Sequence, residues 1–258
     1  MFLCPDVGGA RAGDILTVDG DEGWHAVTVQ RRGVGEAVDL VDGSGMRGCG
    51  EIVEAGGGAM RVRIDAVRSD EDPHVVLVQA LAKGGRDEQA VEAAIELGAT
   101  GIIPWQAARS IVQWKGPRAG KARDKWVSLV IAATKQSRRA QVATVHDLVT
   151  TASLAQAAAD AVADGARVLV LHEQANAPLT TLAWEEPRQP VWFIVGPEGG
   201  IADDELAALK AAGAEPVVLG PHVLRASSAG PAAIAALAAT RGTWATSDAD
   251  AGPEGGLR

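Results

Sequence analysis

Short apolar runs alternate with segments of helical periodicity between residues 75 and 241, and this alternation constrains the fold more than any other feature of the sequence. Polar residues do not alternate with apolar ones in these runs as they do in half-exposed strands. Continuous apolar runs are typical of strands buried on both faces. Strands alternating with helices predict a mostly parallel sheet covered by helices, and therefore an α/β fold. The predicted strands are VVLVQAL (75–81), GIIPW (101–105), RVLVL (167–171), VWFIV (191–195) and PVVLG (216–220). The predicted helices cover residues 86–97, 123–139, 153–163, 203–212 and 228–241.

The N-terminal part of the chain follows a different pattern. Residues 14–67 contain short alternating runs separated by turn signals such as Asp42-Gly43, which predict a small β-barrel or sandwich. The polar stretch RSDEDPH (68–74) is typical of a linker. We therefore expect one domain over residues 1–70, a second over residues 71–245, and a polar, disordered tail over residues 246–258.

The charge distribution is uneven along the chain. The net charge of the 258 residues is −9, which argues against indiscriminate nucleic-acid binding because such binding needs a broad positive field. Residues 109–139 are the exception, with nine basic side chains and one acidic side chain, a local net charge of +8. This segment is either a solvated helix face or a phosphate-contacting patch on an otherwise acidic protein.

Targeting and metal signals are weak. No apolar run approaches the roughly 20 residues that a membrane-spanning helix needs, and the start of the chain does not resemble a signal peptide. The two cysteines, Cys4 and Cys49, lack nearby histidine partners, so neither a disulfide scaffold nor a metal site is indicated. We expect a cytoplasmic enzyme that holds no metal.

A glycine-rich loop, IVGPEGGIADDEL (194–206), follows one predicted strand. A phosphate-binding Walker loop needs Lys-Ser or Lys-Thr after its last glycine, and Ile201-Ala202 stand there instead. The acidic residues 203–205 suit the N-terminus of a helix but repel a phosphate in that place. The loop therefore predicts a backbone approached closely by an uncharged or zwitterionic ligand.

A second loop of the same kind follows the last predicted strand, in PVVLGPHVLRASSAGPAAIAAL (216–237). We expect Ser227 or Ser228 to cap the final helix and Pro231 to lie in its first turn. The two loops, 196–200 and 220–228, then meet at one edge of the sheet. Ligands of open α/β sheets bind at the carboxyl ends of the strands, so this edge is the predicted site.

Four motifs, with the two glycine loops counted as one, occur in the right order and make the chain similar to the RsmE family of SPOUT-class methyltransferases, which act on N3 of a uridine in 16S ribosomal RNA. The two glycine loops match the family as GPEGG-I-x-x-x-E and LG-x-x-VLR-x-x-S-A. The N-terminal domain of the family is matched by HAVTVQRRGVGEAVDLVDGSG (25–45). Two middle segments of the family are matched by residues 83–99 and by TKQSRRA (134–140). One loop departs from the family pattern, because it reads LRASSA (224–229) here and LRTETA in the family. Any role of the missing Thr and Glu side chains passes to Ser227, Ser228 or the backbone.

The resemblance implies a PUA-like, RNA-binding β-barrel over residues 1–70 and a trefoil-knotted SPOUT domain over residues 71–245. It also implies S-adenosylmethionine as the cofactor, a homodimer that completes the site, and the small ribosomal subunit as the partner. This cofactor carries no phosphate, in agreement with the glycine loop. The residues implied to bind it are Leu171, His172, Glu173, Val195, Gly196, Pro197, Gly199, Gly200, Leu219, Gly220, Val223, Leu224 and Ala229.

The chemistry of uracil N3 sets a further requirement. This nitrogen carries a proton, so its methylation needs a base, or a cation that stabilises the uracil anion through O2 or O4. Arg225 is the candidate for the cationic role because it is always charged and can donate two hydrogen bonds, although a contact to the cofactor or to the dimer partner is an alternative. Glu198 is a candidate base or orienting group, and a structural bond to a backbone N–H is an equally good interpretation.

The resemblance also implies RNA contacts in both domains. Those from the first domain are His25, Arg31 and Arg32. Those from the second are Lys83, Arg86, Lys135, Gln136, Arg138 and Arg139.

Three alternatives stay open. The same fold can serve a methyltransferase for a tRNA base, or LRASSA can be the decayed site of a catalytically idle RNA-binding protein. Cofactor binding distinguishes an active methyltransferase from the idle RNA-binding protein, because an idle site tolerates the loss of cofactor affinity. A small-molecule nucleotide-binding enzyme is the third, and it predicts phosphate chemistry that neither glycine loop supports.

Overall fold

The computed structural model describes residues 1–186 and 188–244, which form two compact units. One unit comprises Met1–Asp72 and Lys121–Val145, and the other comprises Pro73–Gly120 and the chain from His146 onward. Residues 121–145 thus pack with the N-terminal unit, whereas the sequence placed them in the second domain. The assignment of RNA binding to one domain and methyl transfer to the other stays a prediction. The tail predicted to be disordered, 246–258, lies outside the described residues.

The first unit is built on one mixed, five-stranded sheet in the order β1-β3-β4-β5-β2. Only the pair β1 and β3 is parallel. The strands are β1 (Phe2–Leu3), β2 (Ile15–Val18), β3 (Ala37–Val41), β4 (Met46–Gly56) and β5 (Ala59–Ser69). A short helix, α1 (Gly20–Trp24), runs into a wider helical turn over His25–Val29.

The alternation seen in the sequence of the first unit sets the two faces of its sheet. In β5, Val62 and Ile64 are buried while Arg61 and Arg63 beside them are exposed. Because side chains alternate along a strand, one face of the sheet forms the core of this unit and the other face carries charge. The predicted small β-barrel and the α/β class of the whole chain are confirmed.

The remaining strands and helices alternate along the chain, as the apolar runs predict. In chain order they are β6 (Val75–Ala80), α2 (Arg86–Glu96), β7 (Gly101–Gln106), α3 (Pro117–Gln136), β8 (Thr144–Val145), β9 (Val149–Thr150), α4 (Thr151–Ala163), β10 (Arg167–Leu171), β11 (Val191–Val195), α5 (Asp203–Ala211), β12 (Glu215–Val217) and α6 (Ala226–Arg241).

The sheet of the second unit is parallel and covered on both faces. Its strands lie in the order β12-β10-β11-β6-β7, with β9 beside β7. Val76 and Val78 face a core that α4 and α5 complete, whereas Leu77 faces α6, which packs beside α2. A Cβ on Gly230 would lie 2.7 Å from Leu77 Cδ1, so the glycine allows α6 to approach β6 closely.

Several boundaries differ from the sequence prediction. The last strand ends at Val217, because the Val218 N–H donates to the Ala177 carbonyl instead of to a neighbouring strand of the sheet. Helix α3 begins at Pro117 and ends at Gln136, earlier at both ends than predicted. The prediction that Ser227 or Ser228 caps α6 is wrong, since Arg225 is the N-cap residue and makes no side-chain capping bond. Pro231 consequently lies beyond the first turn.

No helix in the described ranges is both long and apolar enough to span a bilayer.

Candidate functional site

The loops that follow β10, β11 and β12 enclose a cavity of about 530 Å³. A smaller cavity of about 120 Å³ shares residues 171–173 with it and is lined otherwise by the loop after β12 and the start of α6. Both lie at the carboxyl ends of parallel strands, where the sequence predicted a site. Within the described residues, no group of three or more His, Cys, Asp or Glu side chains is placed to hold a metal ion.

Every residue that the resemblance assigns to the cofactor lines one of these two cavities. The larger cavity is lined by Leu171, His172, Glu173, Val195, Gly196, Pro197, Gly199, Gly200, Val223, Leu224 and Ala229. The smaller one adds Leu219 and Gly220. The structure therefore brings this set together, while the identity of the ligand stays a prediction.

The glycine loop after β11 is shaped by its own packing. The Gly200 N–H donates to the Pro197 carbonyl at 2.9 Å, and Gly200 has a φ of +73°, in the left-handed region that favours glycine. A Cβ on Gly196 would lie 2.6 Å from Ile201 Cγ1, and one on Gly199 would lie 3.0 Å from Arg109 Cβ. Contacts within the protein thus require glycine here, whereas the sequence interpretation invoked only room for a ligand.

The buried side chain of Glu205 anchors the other end of this loop. Its carboxylate accepts hydrogen bonds from the Ala108 N–H at 2.8 Å, the Thr151 hydroxyl at 2.5 Å and the Ala202 N–H at 3.1 Å. The bond from Ala202 caps the N-terminus of α5. Glu205 therefore fixes the glycine loop to α4 and to the loop after β7, a role that the motif GPEGG-I-x-x-x-E did not reveal.

Arg109 joins the same two loops from the other side. Its Nη1 donates to the Gly199 carbonyl at 3.1 Å and to the Ile201 carbonyl at 3.4 Å, and the side chain also lines the larger cavity. The sequence analysis counted Arg109 only as part of the positive segment 109–139. No local signal identifies it, because its partners lie 90 or more residues away along the chain.

Backbone hydrogen bonds connect the loops after β10 and β12. The His172 N–H donates to the Val217 carbonyl at 3.0 Å, and the Leu179 N–H donates to the Val218 carbonyl at 2.9 Å. Farther along the second loop, Val223 is 77% exposed and Leu224 is 40% exposed, and both line the cavities. These loops combine fixed backbone groups with accessible apolar side chains, a combination that suits a flat heterocycle.

Glu198 is engaged in bonds within the protein. Its Oε1 accepts from Arg86 Nη1 at 3.0 Å and from the Lys83 N–H at 3.2 Å. Burial opposes ionisation, but hydrogen bonds from its own backbone N–H, from Arg86 and from Lys83 outweigh it and hold the pKa of Glu198 below its usual range. A lowered pKa makes a weaker base, so the geometry favours the orienting role over the role of a general base.

Arg225 precedes α6 and lines the larger cavity. It is exposed, and in the part of the chain that the structure describes its guanidinium has neither an ion pair nor a hydrogen bond. Its carbonyl accepts from the Ser228 and Ala229 N–H groups at 2.8 and 3.0 Å, which fixes the backbone at the helix start. With its backbone anchored and its guanidinium unpaired, Arg225 is suited to bind a substrate group.

The residues predicted to contact RNA fall in both units. In the second unit, Arg86 lines the larger cavity, and Lys83, which precedes it by three residues, is exposed. The first unit holds His25, Arg31, Arg32, Lys135, Gln136, Arg138 and Arg139.

Some of these side chains in the first unit have acidic partners. Lys135 pairs with Glu22 at 2.5 Å, and Arg139 pairs with Asp72 at 2.7 Å. Arg31 and Arg138 are exposed, have left-handed φ angles of 55° and 57°, and form no ion pair among the described residues. The part of the positive segment that belongs to the first unit is thus partly neutralised by acidic side chains of that unit.

Comparison with known families gives one match that covers most of the chain. The family model described as "RNA methyltransferase domain" matches residues 70–238. The chain is 43% identical over 244 residues to a Mycobacterium bovis protein named "Ribosomal RNA small subunit methyltransferase E". That alignment covers 92% of this chain and 91% of the relative.

Solved structures show the same likeness. A ribosomal RNA small subunit methyltransferase E from Neisseria gonorrhoeae, bound to S-adenosyl methionine, superposes with a TM-score of 0.79 at 26% identity. The superposition covers 92% of this chain and 96% of that chain. A putative methyltransferase from Legionella pneumophila, in complex with the cofactor SAM, gives a TM-score of 0.75 at 28% identity, with the same coverage of 92% and 96%.

Proposed function

Because the chain belongs to the ribosomal RNA small subunit methyltransferase E family, we propose that it transfers the methyl group of S-adenosylmethionine to N3 of a uracil in 16S ribosomal RNA. The observation that carries the proposal is the convergence of three strand-end loops on one cavity, with the unpaired guanidinium of Arg225 at its wall. The family and the names of the similar proteins support methylation of small-subunit RNA. The choice of uracil N3 rests on the motifs and on the site chemistry.

The residues present fit S-adenosylmethionine. The smaller cavity is lined by the apolar Val217, Leu219 and Leu224 and by backbone of the loop after β12, which suits adenine. The larger cavity has room for the sulfonium and amino-acid portions. Neither loop has the features of a phosphate site, and the cofactor has no phosphate. When bound, the cofactor supplies an electrophilic methyl group on a sulfonium.

The protein's own groups prepare the nucleophile. We assign to Arg225 the stabilisation of the uracil anion that remains when N3 loses its proton to solvent water, since a guanidinium donates to two carbonyl oxygens at once. Glu198 orients Arg86 and the backbone at Lys83, and its lowered pKa keeps it ionised in that role. Alignment of N3 with the methyl group supplies much of the remaining rate enhancement.

The proposal extends to partners and assembly. Arg31 and Arg138 are the strongest RNA contacts to propose in the first unit, because they are exposed and form no ion pair among the described residues. A homodimer that completes the site, a trefoil knot in the second unit and a cytoplasmic location follow from the family resemblance, and we include them in the proposal.

Methyl transfer from labelled S-adenosylmethionine to small ribosomal subunits tests this function. The subunits come from cells that lack the enzyme, and purified tRNA serves as the competing acceptor. We expect label in the small-subunit RNA and none in tRNA. Cofactor binding with label only in tRNA would move the target to a tRNA base. A protein that binds RNA but neither binds the cofactor nor transfers label would be the catalytically idle RNA-binding protein.

A further inference from the structure

We propose that Arg109 binds the carboxylate of the cofactor's amino-acid portion while it holds the glycine loop in place. The inference rests on the proposed function, because it presumes S-adenosylmethionine in the larger cavity. It assigns a ligand contact to the loop after β7, which the motif comparison did not connect with the site.

The first argument is geometric. Arg109 Nη1 is fixed by the carbonyls of Gly199 and Ile201, and Gly199 lacks the Cβ that would press against Arg109 Cβ at 3.0 Å. A guanidinium has five N–H donors in a rigid fork, and these two carbonyls use only Nη1. The remaining donors belong to a side chain that lines the cavity and whose position is already fixed.

The second argument is the balance of charge. Three arginines line the larger cavity: Arg86, Arg109 and Arg225. The charge of Arg86 is offset by Glu198 at 3.0 Å. Arg109 binds neutral carbonyl oxygens and, among the described residues, forms no ion pair with a carboxylate. A guanidinium that lines a cavity without an ion pair is a suitable partner for a ligand carboxylate.

The third argument concerns the two ends of the ligand. The smaller cavity, formed by the loop after β12, suits adenine, which leaves the amino-acid end for the larger cavity. The larger cavity also carries the acidic side chains of Glu173 and Asp203, which repel a carboxylate and attract the cofactor's ammonium group. Arg225 binds uracil in the proposed mechanism, and Arg86 is paired with Glu198. Arg109 is therefore the arginine of this cavity that can bind the carboxylate.

A comparison of two ligands isolates this contact. The affinities of S-adenosylmethionine and of its decarboxylated analogue, which keeps the sulfonium and the amine, are measured by calorimetry on the full chain. The variant Arg109→Gln removes the charge but keeps an N–H donor for the Gly199 carbonyl. We expect about 10- to 100-fold weaker binding of S-adenosylmethionine and less than about threefold change for the analogue. Lys210→Ala, which removes an exposed charge from the last turn of α5, is the matched control and should change neither affinity.

Each other outcome overturns the inference. Equal losses for both ligands would reduce Arg109 to a structural support of the glycine loop. An unchanged affinity for S-adenosylmethionine, with weaker binding of small-subunit RNA at saturating cofactor, would assign the guanidinium to an RNA phosphate. A wild-type chain that binds neither ligand would instead refute the proposed function, so the two failures are distinguishable.

Discussion

Replacement of Glu205 by alanine tests whether the buried carboxylate holds the site together. The carboxylate accepts three hydrogen bonds, at 2.5, 2.8 and 3.1 Å, and Glu205 is only 4% exposed. A hydrogen bond to a charged group contributes about 1.5–3 kcal/mol to stability. Ala108 is exposed and Ala202 is half-buried, so water can partly replace the carboxylate as the acceptor for their N–H groups, and the Thr151 hydroxyl can rotate. We therefore expect Glu205→Ala to lower the free energy of unfolding by about 2–4 kcal/mol, less than the sum of the three bonds.

The assay is urea unfolding, followed by calorimetric titration of S-adenosylmethionine at a temperature where the variant is folded. Asp204→Ala is the matched control, because Asp204 is an exposed carboxylate in the same first turn of α5. Its removal should cost only the interaction with the helix dipole, about 0.3–1 kcal/mol. We also expect weaker cofactor binding for Glu205→Ala alone, since the glycine loop loses its anchor. Equal stability losses for the two variants, with equal cofactor affinity, would refute the reasoning.

Three further predictions concern the same cavity. Arg225→Ala should lower kcat by about 100- to 1,000-fold with cofactor affinity unchanged, as measured by single-turnover methyl transfer and calorimetry, and near-normal turnover would remove Arg225 from the chemistry. Because the folded pKa of Glu198 is lowered, its charge stabilises the fold above the usual carboxyl pKa, and this contribution is lost as the pH falls through the folded value. Glu198→Gln should therefore be less stable than the wild type at about pH 7 in urea unfolding, and the difference should narrow as the pH falls below the usual carboxyl pKa; a difference that does not narrow in acid would contradict the ion pair with Arg86. Gly196→Ala should lower the free energy of unfolding by about 1–3 kcal/mol because the new methyl group overpacks against Ile201, and by less in a chain that also carries Ile201→Ala. The same loss of stability in both backgrounds would exclude that contact as its cause.

The sequence predicted those parts of the fold that depend on local patterns. RVLVL and VWFIV are strands over 167–171 and 191–195, as predicted, because strands buried on both faces are continuous apolar runs. The start of α6 was predicted wrongly for a local reason as well. Ser227 and Ser228 are good capping residues, but the chain enters the helix at Ala226 and uses neither.

The parts of the site that the sequence did not predict depend on contacts between distant segments. Arg109 bonds to Gly199 across 90 residues, and Glu205 bonds to Ala108 across 97 residues. Spacing along the chain carries no signal for such pairs. The motif comparison located the loops that line the cavities because their glycines and strand ends are local features. It included Glu205 without revealing that this side chain anchors the glycine loop, and it did not include Arg109.

The identity of the methylated nucleoside tests the central claim most directly. Small-subunit RNA labelled by the protein is digested to nucleosides and resolved by mass spectrometry against synthetic standards. We expect N3-methyluridine at a single site as the labelled product, and Arg225→Ala should form it far more slowly. A methyl group on another base, on another atom of uridine or on the ribose would contradict the assignment of uracil N3 as the nucleophile, even if the RNA is the right one.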